Sequence, residues 1–308
     1  MAYTERSDLN YLGTLFNIGA NQTPLLNMMG GLNGGKTTRS FNFPVAQPWA
    51  LRTGDQSTAV KSEDTSISDV TNITYTRGQD YNTCQIMKYP YAVSFAKETT
   101  YGEIGGISVQ GVQPVTSELA FQKAAALKQL AVDLEFSFFQ GSYVAQSAGD
   151  TVAKTQGLEN AIATNTVAGS AGDLTKALID ELLIEMAGNG AEFNNIVMFV
   201  NAFQKSMLSN VYGYAPESRT IGGVAVDTVL TDFGQFGISY APQMPTDELY
   251  VVDMSVMSPM FCPHNGKVIE VVDTAISTAS KGGFVYTQAG LDFGPEEFHG
   301  SLTGLSTS

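Results

Sequence analysis

Residues Glu118 to Phe139 read ELAFQKAAALKQLAVDLEFSFF, a run without glycine or proline in which alanine and leucine dominate. Alanine and unbranched or γ-branched side chains lose little freedom on entering a helix, and nothing here interrupts one. Ala120, Ala124, Leu127, Ala131, Leu134 and Phe138 recur every three or four residues, which places them on one apolar stripe. Thr116 or Ser117 can cap the start, and Gly141 can supply a left-handed stop. The spacing predicts a helix over 116–140, a rod on the order of 35–40 Å at 1.5 Å per residue.

The chain before this helix is different in kind. Met1 to about Ser40 is punctuated by Gly13, Gly19, Pro24, Gly30, Gly31, Gly34 and Gly35 and reads as an arm, with a short helical turn near Leu25 to Met29. From Phe41 to Tyr81 apolar residues are sparse, and Thr53 to Ser68 is almost wholly polar. Asn72 to Thr76 alternates with period two, and Arg77-Gly78-Gln79 can turn it back onto Tyr81 to Lys88. This predicts a long exposed β-hairpin, which alone in water is marginal and needs a surface to lie on. Tyr91, Val93 and Phe95 alternate as a further strand.

After the helix, Gly141 to Gly172 is small and polar and reads as loop or hairpin. A second helix is predicted from an Asp173 cap through Leu174, Leu178, Leu182 and Met186 to Gly188. Ile196 to Val200 is a continuous apolar run, the signature of a buried strand. Asn201 then caps a helix carrying Phe203, Met207 and Val211. Strands follow at Val224 to Leu230, Gly237 to Tyr240, Glu248 to Val252, Lys267 to Val272 and Phe284 to Thr287. From residue 173 onward the pattern is an α+β lobe.

Composition bounds the function. The chain has 308 residues, 43% of them hydrophobic, which is enough for a sizeable core. Only 15% are charged, against roughly 25% in ordinary soluble domains. Low charge suits a surface that neighbours will cover. The net charge of −14 and the scatter of the 16 cations argue against gripping nucleic acid by its phosphates. Cys84 and Cys262 read as reduced core residues. Met1 to Asn10 lacks a basic segment leading into an apolar run, so no secretory signal is expected, and no apolar stretch is long enough to span a bilayer.

Several fragments imitate catalytic motifs. Gly30-Gly31-Leu32-Asn33-Gly34-Gly35-Lys36-Thr37 satisfies the phosphate-binding G-x-x-x-x-G-K-[ST] pattern, and Leu249 to Asp253 resembles an apolar strand ending in a Mg²⁺ ligand. A phosphate loop works because its Lys and Thr open a helix whose N–H groups face the ligand. Here Lys36 runs into Thr-Thr-Arg-Ser-Phe-Asn-Phe-Pro, which is extended chain, so a flexible glycine linker is the better reading. Asp232-Phe233-Gly234 and Asp292-Phe293-Gly294 lack the rest of a kinase and read as turns after strands. Cys262-Pro263-His264 offers two metal ligands where zinc needs three or four. His299 lies in a polar tail, Glu63-Asp64 and Glu296-Glu297 read as solvated turns, and Lys61 as an ordinary surface lysine rather than an isopeptide donor. No catalytic, cofactor-binding or metal site is expected.

The order of pieces, an arm, a long β-loop, a long helix and an α+β lobe, resembles the Hong Kong 97-type fold of the major capsid proteins of tailed bacteriophages and herpesviruses. Local wording carries the same resemblance: Asn21-Gln22-Thr23-Pro24-Leu25 in the arm, Leu130 to Gly141 at the helix end, and Gln156 to Asn160 after it. Thr231 to Gly234, Met244 to Asp253 and Glu297 to Leu302 extend it towards the end of the chain. The resemblance implies an arm (1–40), an E-loop (41–90), a peripheral domain (91–145 and 266–308) with its spine helix at 116–140, and an axial domain (146–265). It further implies a virion protein, made in a host cytoplasm, that self-assembles as hexamers and pentamers into an icosahedral or prolate shell. That shell would enclose double-stranded DNA without sequence-specific binding or membrane, alongside separate scaffold, portal and decoration proteins. Two other classes stay open: a secreted or surface-layer β-rich structural protein, and a P-loop nucleotide-binding enzyme.

Overall fold

The computed structural model describes residues 21–46, 49–51, 54, 60–68, 74–99, 103–104, 107–108, 117–212, 218–221, 224–274 and 279–307. Part of the arm and of the loop, including Asn72 and Ile73 of the expected hairpin, therefore lies outside the described residues.

The chain opens with helix α1 (Pro24–Met28), a 3₁₀ turn (Gly31–Asn33), and strands β1 (Lys36–Thr37) and β2 (Asn42–Ala46). Helix α2 (Glu63–Ser68) precedes β3 (Asp80–Thr83) and β4 (Gln85–Ser94); α3 (Phe95–Thr99), β5 (Glu103–Ile104) and β6 (Ile107–Ser108) lead to the long helix α4 (Glu118–Gln140). Then come α5 (Leu158–Ala161), β7 (Thr166–Ala168), α6 (Lys176–Gly188), β8 (Ile196–Val200) and α7 (Ala202–Tyr212). Strands β9 (Ser218–Ile221), β10 (Val224–Thr231), β11 (Gly234–Tyr240), β12 (Leu249–Asp253), β13 (Ser258–Phe261), β14 (Ile269–Thr274), β15 (Ser280–Asp292) and β16 (Gly300–Thr303) complete it.

Two sheets organise these elements. A five-stranded sheet is built around β15, which pairs with β13 and β14 and, antiparallel over its length, with β4; β1 adds to β13 in parallel. A seven-stranded sheet runs β7-β16-β12-β8-β11-β10-β9. Helix α4 packs on β4 and β15, and its last turns reach the second sheet, where Phe139 meets Phe199 edge-on at 5.5 Å and stacks on Tyr250 at 6.2 Å. Strands β8 and β12 are buried throughout because alternate residues serve two cores. Val197, Phe199, Tyr250 and Val252 face the core under α4, and Ile196, Met198, Val200, Leu249 and Val251 face the core containing the buried side of α6. A strand covered on both faces must be a continuous apolar run, which is how Ile196 to Val200 reads.

Several local expectations are corrected. The strand after Arg77-Gly78-Gln79 does not fold back on Thr74 to Thr76, which are not strand; β3 pairs with β2, and β4 joins β15. Pairing with β15 buries Tyr91 and Val93, an apolar gain that a threonine-rich partner could not match. On α4, Ser117 caps the start by accepting from the Ala120 amide, and the expected stripe faces the core from Leu127 through Ala131 and Leu134 to Phe138 but not at its first two members. Leu130, Leu134, Glu135, Phe138 and Phe139 are buried, whereas Ala120 and Ala124 are exposed. Gly141 is not left-handed (φ −62°); a Cβ there would lie 2.3 Å from the Ser137 carbonyl and 2.4 Å from that of Thr155, so close approach demands the glycine. Thr175, not Asp173, caps α6, and α7 buries Gln204 and Leu208 while Phe203, Met207 and Val211 are only half-buried. Strands β2, β7, β13 and β16 carry little pattern of their own in three to five residues and escaped the sequence reading.

Candidate assembly surfaces

Strands β2 and β3, which bracket residues 47–79, pair antiparallel as a two-stranded base. Asn82 bolts that base down. Its buried amide Nδ2 donates to the Leu291 carbonyl (2.7 Å) and the Gln156 carbonyl (3.1 Å), and its Oδ1 accepts from the Thr83 and Gln156 amides (each 2.8 Å). A buried amide with every position occupied fixes geometry, since leaving one unpaired would cost about 1–3 kcal/mol. Asn42 makes a second tie, donating to the Gln146 carbonyl at 3.1 Å.

Beyond this base the loop carries large apolar groups in the open. Trp49, Leu51, Val60, Ile67 and Tyr75 are all exposed, Ile67 at 83%, as is Tyr81 on the base itself. Trp49 and Tyr75 meet edge-on at 6.3 Å, bringing the chain just after β2 against the chain just before β3. Helix α2 between them buries no residue, and a helix of such length has no stability of its own in water.

The arm is fastened by a different device. Glu135 of α4, fully buried, accepts the Leu25 amide (2.8 Å) on Oε1 and the Leu26 amide (2.7 Å) on Oε2. Burial raises its carboxyl to about 7, against the pull of those two amides. Further along α4, Asp133 accepts the Tyr89 hydroxyl, and Lys123 pairs with Asp273 (2.8 Å), which also accepts the Tyr91 hydroxyl (3.0 Å). The helix is thus pinned to both β4 and β14.

The motif look-alikes separate cleanly. Lys36 and Thr37 begin strand β1 rather than a helix, and Lys36 Nζ pairs with Asp292 at 2.6 Å, so the phosphate-loop geometry is absent. The glycines form a defined turn, not a featureless linker: Gly35 has φ +96°, and a Cβ there would lie 2.3 Å from the Pro259 carbonyl. Asp232 and Phe233 sit in the β10–β11 turn, and Asp292 ends β15 ahead of a turn through Gly294. Cys84 and Cys262 are free thiols beside the Phe43 and Met260 cluster, with the buried Cys84 pushed up to about 12, chiefly by burial. Among the described residues no group of three His, Cys, Asp or Glu side chains is arranged to hold a metal, and no helix is long and apolar enough to cross a membrane.

Two expectations about the end of the chain are overturned. His299 is wholly buried: its Nδ1 accepts the Asp253 amide (3.2 Å) and its Nε2 donates to the Phe293 carbonyl (2.6 Å). Glu296 lies in a half-buried 3₁₀ turn rather than a fully solvated one, and it accepts the Ala163 and Thr164 amides (2.8 and 3.1 Å) and the Thr164 hydroxyl. Glu135 and His299 were missed for one reason, that a polar residue inside an apolar periodic run or near a terminus gives no sequence sign of burial.

An arm clamped to a long helix, a loop with bare apolar tips and two sheets sharing one core define the class: a shell subunit of the Hong Kong 97-type fold. Solved structures share that fold along nearly the whole chain. The encapsulin SrpI complex of Synechococcus elongatus PCC 7942 is 12% identical over 97% of this chain and 94% of that one, with a TM-score of 0.62. The capsid of cyanophage A-1(L) is 10% identical over 98% and 97%, TM-score 0.60, and the capsid of a native GTA particle 13% identical over 97% and 96%, TM-score 0.57. No curated protein matches the chain. The sequence model of the SU10 major capsid protein family matches residues 2–306, and the chain belongs to that family. It is a structural protein of a bacteriophage virion, a subunit of a capsid shell of hexamers and pentamers.

Proposed function

We propose that the loop between β2 and β3 and the arm before β1 are the elements by which one subunit grips the next, with the body serving as their platform. The observation that carries this reading is the set of exposed apolar side chains on that loop, Trp49, Leu51, Val60 and Ile67 above all. Bare apolar groups on a polar loop signal a partner surface. In this reading the arm spans 1–40 and the E-loop 41–90. The peripheral domain spans 91–145 and 266–308, centred on α4 and β15, and the axial domain spans 146–265, centred on the seven-stranded sheet with α6 and α7. The pairing of β13 with the first sheet and of β16 with the second supports refining that boundary by sheet rather than holding it at residue 265.

The net charge of −14 supports a shell that encloses double-stranded DNA without sequence-specific contacts. Assembly in a host cytoplasm, no catalysis, and separate scaffold, portal and decoration proteins complete the proposal. The test is deletion of Thr53 to Ser68, followed by size exclusion and negative-stain microscopy. Loss of shells with the helical circular-dichroism signal retained is the expected result. Shells at normal yield would refute the gripping role of the loop.

A further inference from the structure

The chain passes between the two sheets three times: through α4 and the residues up to β7, through 254–257 between β12 and β13, and through 293–299 between β15 and β16. All three passages meet at one place. The first is held to the third by Glu296, which accepts from Ala163 and Thr164, and by Asn165, whose Nδ2 donates to the Glu297 carbonyl (2.7 Å) and the His299 carbonyl (2.9 Å). The head of the second, at the end of β12, is tied to the third by one described side-chain hydrogen bond, from the Asp253 amide to His299 Nδ1, while the ring's Nε2 donates to the Phe293 carbonyl within the third passage itself; the Met254 amide separately donates to the Asn195 carbonyl.

We infer that His299 is a proton-sensitive pin at this junction, and that protonating it releases the 254–257 passage and alters how the two sheets are held together. The chemistry is a matter of donors and acceptors. Neutral His299 accepts at Nδ1 and donates at Nε2, matching its two partners. An added proton at Nδ1 sets N–H against the N–H of Asp253, and the bond is lost. A substitute acceptor waits nearby: Asp253 Oδ2 is buried without a hydrogen-bond partner, while Oδ1 accepts the Ser255 amide at 2.8 Å. Turning the imidazolium towards Oδ2 therefore moves the junction to a second arrangement rather than simply unfolding it.

The groups facing the ring fix the direction. Burial is the largest influence and holds the His299 proton affinity below that of an ordinary histidine; the Phe293 carbonyl and the Asp253 and Glu296 carboxylates oppose it. Asn165, on the first passage, presents a neutral amide. With the folded value depressed, the unfolded chain binds the proton more readily. The junction's contribution is intact above about pH 6.5 and is lost as pH falls from there through the lower folded value.

Hydrogen exchange followed by mass spectrometry on the assembled full-length protein tests this at pH 7.5 and 5.0, each rate divided by its intrinsic chemical rate. Loss of protection in segments 253–257 and 293–299 by about tenfold or more, with 284–290 of β15 unchanged, is expected. Equal protection at both pH values, or parallel loosening of β15, would overturn the inference. The variant His299→Gln adds a second reading, since it cannot titrate. A flattened pH response supports the pin, an unchanged one refutes it, and if the variant fails to fold the wild-type comparison decides.

Discussion

Glu135 shows how one residue can organise a segment distant in sequence. Its carboxylate holds consecutive amides of the arm more than a hundred positions away, at the cost of burying a charge. The folded value near 7 lies above the ordinary 4.5, so the folded state binds the proton more tightly than the unfolded one. Stability from this group is accordingly greatest below about pH 4.5 and declines as pH rises towards 7. The span corresponds to on the order of 3 kcal/mol. Glu135→Gln removes the titration but sets an amide N–H₂ against one backbone N–H, a conflict of about 1–3 kcal/mol. The difference between wild-type and variant unfolding free energy, measured by urea titration from pH 4.5 to 8, is expected to slope by that amount. Parallel profiles would show that the clamp carries no charge. Nothing in Leu134-Glu135-Phe136 announces this role: a glutamate beside an apolar stripe is ordinarily solvated, and only the arm, which the sequence cannot place, buries it.

At the scale of elements, long periodic segments were legible and short ones were not. Helix α4 emerged within two residues of its expected start, because its composition admits no alternative. Its facing side was legible from Leu127 onward and misread only at the first two members, since an alanine stripe resembles a core stripe when both recur at the same spacing. Ala120 and Ala124 face out, while Leu130, Leu134 and Phe138 carry the burial. The energetic asymmetry is testable. Phe138→Ala should cost about 3–5 kcal/mol by removing a fully buried ring and leaving a cavity. Ala124→Gly, on the exposed side, should cost about 1 kcal/mol from helix propensity alone. Chemical denaturation of the unassembled subunit measures both, and comparable losses would mean that the helix is seated differently. The hairpin failed for a related reason. Local alternation at Thr74 to Thr76 suggested a partner, but β15, far along the chain, offered β4 more apolar contact than any neighbour in sequence could.

For the whole molecule, the low charge fits the proposed reading of a surface that neighbours cover. Charge is scarce, and the described loop exposes aliphatic groups for which the subunit itself has no use. Leu51, Val60 and Ile67 are 68%, 61% and 83% exposed, and none belongs to a core cluster of the subunit. Replacing all three by serine should therefore leave the free subunit within about 0.5 kcal/mol of its original stability, as surface changes ordinarily do. In the shell the same side chains are expected to be buried, each contributing about 1.5–3 kcal/mol on leaving water. A combined loss of even ~4 kcal/mol per contact would raise the concentration needed for assembly roughly a thousandfold. Light scattering against subunit concentration, with thermal unfolding of the unassembled protein alongside, separates the two effects. An unchanged assembly threshold would show that these groups stay in solvent, and the grip between subunits would then have to lie in the arm or the body. A destabilised subunit would instead show that the loop packs on its own chain.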